Sequence, residues 1–216
     1  IAVSVTGEYT EYHGGTVADA LAAINTTLTR INEVFETDSG VTLELIANND
    51  LVVFTDPDTD PYTNSLNSQV QNTLTSTIGE ANYDVGHLFH RVDDPEQNNG
   101  NAGFIGAVCA DNQKGSGFSA SFEPEGDVFD LDYVAHGIVL GNNVAPNGDD
   151  YFHFNSILQI ATYLQSVACA QTTVQTNSPP VLTPVGDYTI PKGTAFVLEG
   201  VATDPDVGDV LTYTWE

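Results

Sequence analysis

The side chains best suited to metal chemistry in this sequence are its five histidines, His13, His87, His90, His136 and His153. No two of them are four residues apart, so the helical zinc motif HExxH is absent from the whole chain. His87 falls in a predicted strand that ends just before His90, and side chains three positions apart along a strand point to opposite faces. Each histidine, taken singly, is therefore better explained as a structural residue than as a metal ligand. A GxSxG nucleophile elbow and a glycine-rich phosphate loop are also absent.

Two clusters of aspartates supply the oxygen ligands that calcium prefers. One cluster alternates in a loop and the other follows Thr203; they consist of Asp56, Asp58 and Asp60, and of Asp204, Asp206 and Asp209. Neither cluster has the glutamate that an EF-hand loop requires at its last position. We interpret the first cluster as a solvated turn and predict a calcium site at the second.

The chain has two cysteines, Cys109 and Cys169, which are too few for a disulfide scaffold but sufficient for one bridge. Cys109 ends a predicted buried strand and Cys169 ends a predicted helix. Neither position is typical of a catalytic thiolate, so a structural disulfide is the preferred interpretation and a nucleophile is the alternative.

The charge of the chain excludes several classes of partner. Thirty acidic residues stand against four basic ones, which gives a formal net charge of −26. A chain with so few cations does not bind nucleic acid or an anionic membrane surface, and no run of apolar residues is long enough for membrane insertion. Screening by salt or divalent cations would reduce the self-repulsion, which favours a saline exterior over the cytosol. The alternative is that the acidic surface serves solubility alone.

Hydrophobic spacing predicts an α/β fold over residues 1–170. The apolar residues of 17–35, 66–78 and 155–168 recur at helical intervals, and 127–136 is expected to begin a further helix. Strands are predicted over 1–9, 41–45, 51–54, 83–89, 103–109 and 117–122. Helices and strands in this order indicate a sheet with helices packed against it.

Composition changes after Cys169. Residues 171–180 are rich in Thr, Ser, Asn and Pro, as expected of a linker. Three short β-type runs follow, at 188–190, 195–198 and 210–215. They amount to the start of a β-sandwich, so residues 181–216 are expected to form an incomplete β domain whose parent protein continues past Glu216.

Several short motifs resemble, in the right order, the bacterial reprolysin-like zinc metallopeptidases, which are metzincins related to the snake-venom and ADAM-type proteases. They are VTGEY (5–9), HGGTVADAL (13–21), ANND (47–50), TDPYTN (59–64), ANYDVGH (81–87), GAVC (106–109), GDVFDLDYVAH (126–136) and DDYFH (149–153). The resemblance covers about residues 1–170. It implies a metzincin-like mixed sheet with packed helices, zinc as cofactor, a protein or peptide substrate, and secretion from a bacterium.

The resemblance also assigns a site. In that family the sequence DYVAH begins the active-site helix, so His136 is expected to be the first of three zinc ligands in HExxHxxGxxH. The following residue should be the general-base glutamate, but Gly137 stands there, and 137–146 resembles the stretch just after the family's Met-turn. Either the sequence omits the intervening segment, or the chain is a natural non-catalytic relative, such as a surface or adhesion protein. As written, the chain keeps His136 alone of the three zinc ligands and lacks the base, so it does not meet the requirements of hydrolysis.

Two further expectations depend on the resemblance. Metzincins pair an antiparallel edge strand with the substrate backbone, and by position that strand is Gly103, Phe104, Ile105, Gly106, Ala107 and Val108. The cysteines occupy positions suited to tie this region to the C-terminal helix. The segments 202–206 and 211–215 resemble the start of cadherin-like or Ig-like modules. The sequence predicts neither a cleavage preference nor an oligomeric state.

Overall fold

The computed structural model describes residues 1–104, 106–139, 152, 154–174 and 176–213. The chain divides into two compact units, Ile1–Ala170 and Gln171–Glu216. The first unit contains β1 (Ala2–Val5), α1 (Gly7–Tyr12), α2 (Val17–Ser39), α3 (Leu66–Thr77), β2 (Gly86–Arg91), β3 (Asn99–Asn101), β4 (Gly117–Ser121), a π-helical segment (Val128–Ala135), α4 (His136–Val139) and α5 (Phe154–Ser166). Short 3-10 helices lie at Asn49–Val52, Glu80–Asn82 and Pro95–Gln97.

The ends of α2 are fixed by local sequence. The hydroxyl of Thr16 accepts a hydrogen bond from the backbone N–H of Asp19 at 3.2 Å, which caps the first turn. Gly40 ends the helix with a left-handed φ of 63°, a conformation that costs glycine little. The buried residues of α2 recur every three or four positions. The helix predicted from its apolar spacing is confirmed, as is α3.

The first unit is built on a mixed sheet with the strand order β1-β2-β4-β3. Strands β1, β2 and β4 are parallel, with Val3 opposite His87 and His87 opposite Gly117. Strand β3 is antiparallel to β4, with Gly100 opposite Ser119, and lies at the edge. This arrangement confirms the predicted α/β fold with a mixed sheet and packed helices.

Helices cover both faces of the sheet because successive strand residues point to opposite sides. Val3, Val5 and Phe89 pack in one apolar cluster with the buried faces of α2 and the π-helical segment. Ala2 and Leu88 belong to a second cluster, which includes buried residues of α3. The alternating side chains of β1 and β2 therefore join two cores through one sheet.

The strands predicted over 41–45 and 51–54 are wrong. Residues 41–45 have no regular structure, and beyond β1 the ladder continues only as an isolated bridge between Val5 and Val53. The reason is a side chain: Asn49 Oδ1 accepts from the N–H of Val3 at 2.8 Å, and its Nδ2 donates to the carbonyl of Val3 at 2.8 Å. One asparagine amide thus satisfies the backbone groups that a neighbouring strand would otherwise pair.

The strand predicted over Gly103–Val108 is also misplaced, because the observed edge strand is Asn99–Asn101. The described residues of 103–108 lie in turns and irregular loop, and Ile105 lies outside the described residues. Gly103 and Gly106 have φ angles of 73° and 68°, which a strand does not accommodate. These glycines turn the chain back after β3.

The second unit has two short strands among its described residues, β5 (Val181–Leu182) and β6 (Ala202–Thr203). The runs predicted at 188–190 and 195–198 do not form strands, and Phe196 and Val197 are 64% and 82% exposed. The linker at 171–180 and the Ig-like or cadherin-like character of 181–216 stay predictions. None of the described helices is long and apolar enough to cross a membrane.

Candidate metal centre

His136 is oriented as a metal ligand would be. It begins α4, directly after the π-helical segment, and its ring is half-buried with an edge-on contact to Phe152. Its Nδ1 lies 3.0 Å from the carbonyl oxygen of Leu131. A carbonyl only accepts, so Nδ1 holds the hydrogen and the lone pair of the neutral ring is on Nε2. Histidines that bind metals are commonly fixed in this way by a backbone carbonyl.

The other described histidines do not join His136. Each has its own partner at hydrogen-bond distance: Pro124 O for His13 at 3.3 Å, Ser119 Oγ for His87 at 2.9 Å, and Thr6 Oγ1 for His90 at 3.1 Å. His153 lies outside the described residues. Within the described part of the chain, the one group of at least three acidic, histidine or cysteine side chains close enough to share a metal excludes His136. The described residues therefore do not fit a three-ligand zinc site.

Gly137 occupies the position of the expected general base. The helix α4 continues through it to Val139. A Cβ atom at this position would lie 3.2 Å from Cε1 of His87 and 3.4 Å from Oγ of Ser119. These contacts are tighter than ordinary packing, so a side chain here would require the imidazole below it to shift. The position supplies no carboxylate that accepts a proton from water.

His87 is a structural residue of the core beneath this helix. It is 1% exposed, and burial lowers its pKa to about 3, so the ring is neutral near pH 7. The hydroxyl of Ser119 donates to the carbonyl of Tyr133 at 3.1 Å. The hydroxyl is then free to accept, and we assign the hydrogen of the 2.9 Å contact to Nε2 of His87. This chain of bonds links β2, β4 and the π-helical segment.

The two aspartate clusters differ in their surroundings: the first accepts backbone hydrogen bonds, and the second brings three carboxylates close together. In the first cluster, Asp60 accepts from the N–H of Gly7 at 2.8 Å, and Asp56 accepts from the N–H of Asp58 at 3.0 Å. These hydrogen bonds agree with its interpretation as a turn. In the second unit, one oxygen from each of three aspartates lies within 4.8 Å of the others: Asp204, Asp206 and Asp209. The structure thus brings the predicted calcium ligands together.

The disulfide between Cys109 and Cys169 is confirmed, with Cα atoms 5.8 Å apart. It joins the loop after β3 to the chain just beyond α5. The hydroxyl of Tyr163 on α5 reinforces this link: it lies 2.5 and 2.7 Å from the carbonyl oxygens of Gly106 and Val108, which share its one hydrogen. Sequence reasoning missed Tyr163, because it lies off the apolar stripe of its helix and nothing in the spacing identifies its partners.

The comparison with known families agrees with this architecture. The model of the metallopeptidase family M12B, described as reprolysin-like, matches residues 1–146. The match spans about two thirds of the chain and includes residues on both sides of the His136–Gly137 junction. No curated protein matches the chain. From the family match, together with the mixed α/β sheet, it follows that the chain belongs to the reprolysin-like metallopeptidases of family M12B.

Proposed function

We propose that this fold serves an extracellular zinc-dependent endopeptidase, and that a segment with the general base and two zinc ligands is missing from this sequence between His136 and Gly137. The proposal rests on the family match, which continues to residue 146 beyond the junction. Gradual loss of a catalytic site would be expected to blur both flanks, whereas here both flanks keep their family motifs. Zinc in such a centre supplies a bound water of lowered pKa that attacks the peptide bond.

Two features of this chain support parts of that role. Nε2 of His136 would hold the metal, because Nδ1 is occupied by the Leu131 carbonyl. The substrate strand, predicted at Gly103–Val108, is better assigned to β3, the edge strand of the sheet. Asn99 and Asn101 of β3 are exposed, so a peptide has access to pair with it.

Secretion belongs to the same proposal. The disulfide is of the kind that persists in oxidising compartments, and the net charge of −26 favours a medium with salt or divalent cations. A bacterial source and a saline habitat remain part of the proposal and rest on the motif resemblance and the charge.

The polypeptide of 216 residues is itself expected to be inactive. One oriented histidine does not make the three-ligand site of a catalytic zinc. Gly137 has no side chain that could act as a base. The neighbouring His87 has a pKa of about 3, so its ring is too weak a base to accept a proton from water near pH 7.

A non-catalytic surface or adhesion protein is the second candidate. One observation favours it: Gly137 fits closely over the ring of His87, and helix α4 passes through the junction without a break. A chain that had lost its zinc segment long ago would be expected to close over the junction in this way.

The length of the natural protein decides between the two candidates. We would determine the coding transcript and the intact mass of the protein secreted by its source organism. A segment with Glu and two His after His136, stoichiometric zinc, and chelator-sensitive cleavage of casein support the peptidase. A natural chain that matches this sequence, contains no zinc and leaves casein intact would refute it.

A variant of the zinc-containing protein provides the control. His136→Ala should remove zinc and cleavage together, whereas His13→Ala, whose ring contacts the carbonyl of Pro124, should leave both unchanged. Equal zinc content in the two variants would contradict the assignment of His136.

Calcium binding by Asp204, Asp206 and Asp209 stays a proposal about the second unit. Calorimetric titration of the protein with calcium is expected to show one site, and Asp206→Asn should weaken it because one of the three clustered carboxylates is lost. Titration curves that are identical in both proteins would exclude this cluster.

A further inference from the structure

A partly open apolar cavity of about 220 Å³ lies in the first unit, between the start of β2, the loop after β3, and helices α4 and α5. Apolar side chains from several elements and loops line it, among them Phe35, Leu43, Val85, Phe104, Ile138 and Leu164. An apolar void of about 150 Å³ is already large enough to bind benzene, so a cavity of about 220 Å³ has room for a ring of that size.

The cavity offers no free charge among the described residues that line it. Lys114 is the charged side chain there, and its Nζ donates to Asp111 Oδ1 at 2.7 Å and to the carbonyl of Glu80 at 2.6 Å. His87 is neutral near pH 7, since burial lowers its pKa to about 3. An anionic ligand would meet no counter-charge here, inside a chain with a net charge of −26.

The wall of the cavity is held in place before any ligand arrives. The carbonyl oxygens of Gly106 and Val108 share the one hydroxyl hydrogen of Tyr163, and the disulfide of Cys109 follows directly. The N–H of Cys109 donates to the carbonyl of Asp84 at 2.8 Å, next to Val85 in the lining. Because these contacts already fix the wall, little conformational entropy is lost when a ligand fills the cavity.

We propose that this cavity is a binding site for a neutral, compact apolar molecule of one or two rings. Its volume sets the size, its uncharged lining sets the neutrality, and the aromatic rings of Phe35, Phe104 and Tyr163 supply flat contact surfaces for a ring. Gly137 and Ile138 line the cavity, so the proposal concerns the 216-residue chain with its present His136–Gly137 junction, and it does not involve zinc.

Toluene and benzoate are the probes that test the proposal, because they share one ring and differ in charge. Toluene should raise the melting temperature of the protein, since a ligand that binds the folded state alone stabilises it. Benzoate at the same concentration should not. Amide NMR shifts caused by toluene should be confined to residues that line the cavity, such as His87 and Ile138.

Two tryptophan variants of α5 provide the matched comparison. Leu164→Trp fills the cavity and should abolish the toluene effect, whereas Leu158→Trp, at a position that is 52% exposed, should retain it. A folded Leu164→Trp protein that still responds to toluene would overturn the proposal. So would a wild-type protein whose melting temperature and amide spectrum do not change with toluene.

Discussion

Acidification should destabilise the folded protein through the buried imidazole of His87. The residue is 1% exposed, and its ring lies close to Ser119 of β4, so charging the ring would place an ion in a buried site that offers it no counter-charge among its described hydrogen-bond partners. We therefore predict that the free energy of unfolding falls when the pH is lowered from 7 toward 4, and that this one residue accounts for a measurable part of the fall.

The sign and the size follow from proton binding in the two states. In the unfolded chain the pKa of His87 is 6.5, whereas burial lowers it to about 3 in the folded protein. Above pH 6.5 the ring is neutral in both states and costs the folded protein no stability. As the pH falls from 6.5 toward 3, the unfolded chain binds a proton that the folded protein does not, and the free energy of unfolding decreases. At 1.36 kcal/mol per pKa unit, the loss is about 2 kcal/mol at pH 5 and about 3 kcal/mol at pH 4.

Other buried groups change the total curve but not the comparison between variants. Burial lowers the pKa values of His13 and His90, so these two residues also decrease the free energy of unfolding when the pH falls. Burial raises the pKa values of Asp60 and Asp130, so acidification relieves the cost of their charge and opposes the loss. These four groups are present in both proteins when His87 alone is replaced.

Urea unfolding of the wild type and of His87→Gln, at fixed ionic strength between pH 7 and pH 4, measures the difference. Glutamine keeps a donor for Ser119 but does not titrate, so the two stability curves should converge as the pH falls. NMR of labelled histidine provides an independent measurement that needs no variant. Parallel stability curves, or a His87 ring that titrates near its ordinary value of 6.5 in the folded protein, would refute the reasoning.

Three further predictions concern stability and are checked by urea unfolding. The hydroxyl of Tyr9 is buried without a hydrogen-bond partner among the described residues, so Tyr9→Phe should leave stability unchanged or raise it by about 1 kcal/mol; a loss would reveal a hidden partner. Replacing Cys109 and Cys169 together by serine opens a loop with a sequence separation of 60, and should cost about 4 kcal/mol; reduction of the wild type should cost the same. A Cβ at Gly7 would overlap the backbone of the loop that faces it, so Gly7→Ala should cost about 3 kcal/mol, whereas Gly100→Ala, with its nearest atom at 3.5 Å, should cost much less; equal costs would contradict the packing.

Local patterns predicted the helices but not every strand. The apolar spacing and caps of α2 depend on residues close in sequence, so Thr16 and Gly40 identify its ends without tertiary information. Strand pairing depends on distant residues. No propensity indicates that the side chain of Asn49 will satisfy Val3 in place of a strand.

The candidate site shows the same division. The motif ending at His136 predicted a helix and a ligand, and the structure orients the ring through the Leu131 carbonyl, five residues away. The edge strand predicted from the sequence lies a few residues later than the observed one, because Gly103 and Gly106 form turns with positive φ rather than continuing a strand. The limited space that His87 leaves for a Cβ at Gly137 involves positions 50 apart in sequence and has no local signal.

The Cys109–Cys169 bridge makes the region around His136 and Gly137 part of a covalently closed ring. A single proteolytic nick anywhere inside that ring adds one water and separates nothing, so a nicked and an intact molecule run together on a gel until they are reduced. The ring also tolerates growth, since each doubling of a flexible loop adds only about 0.6 kcal/mol to its closure cost. Chains with and without extra residues at the junction can therefore keep the same cross-link.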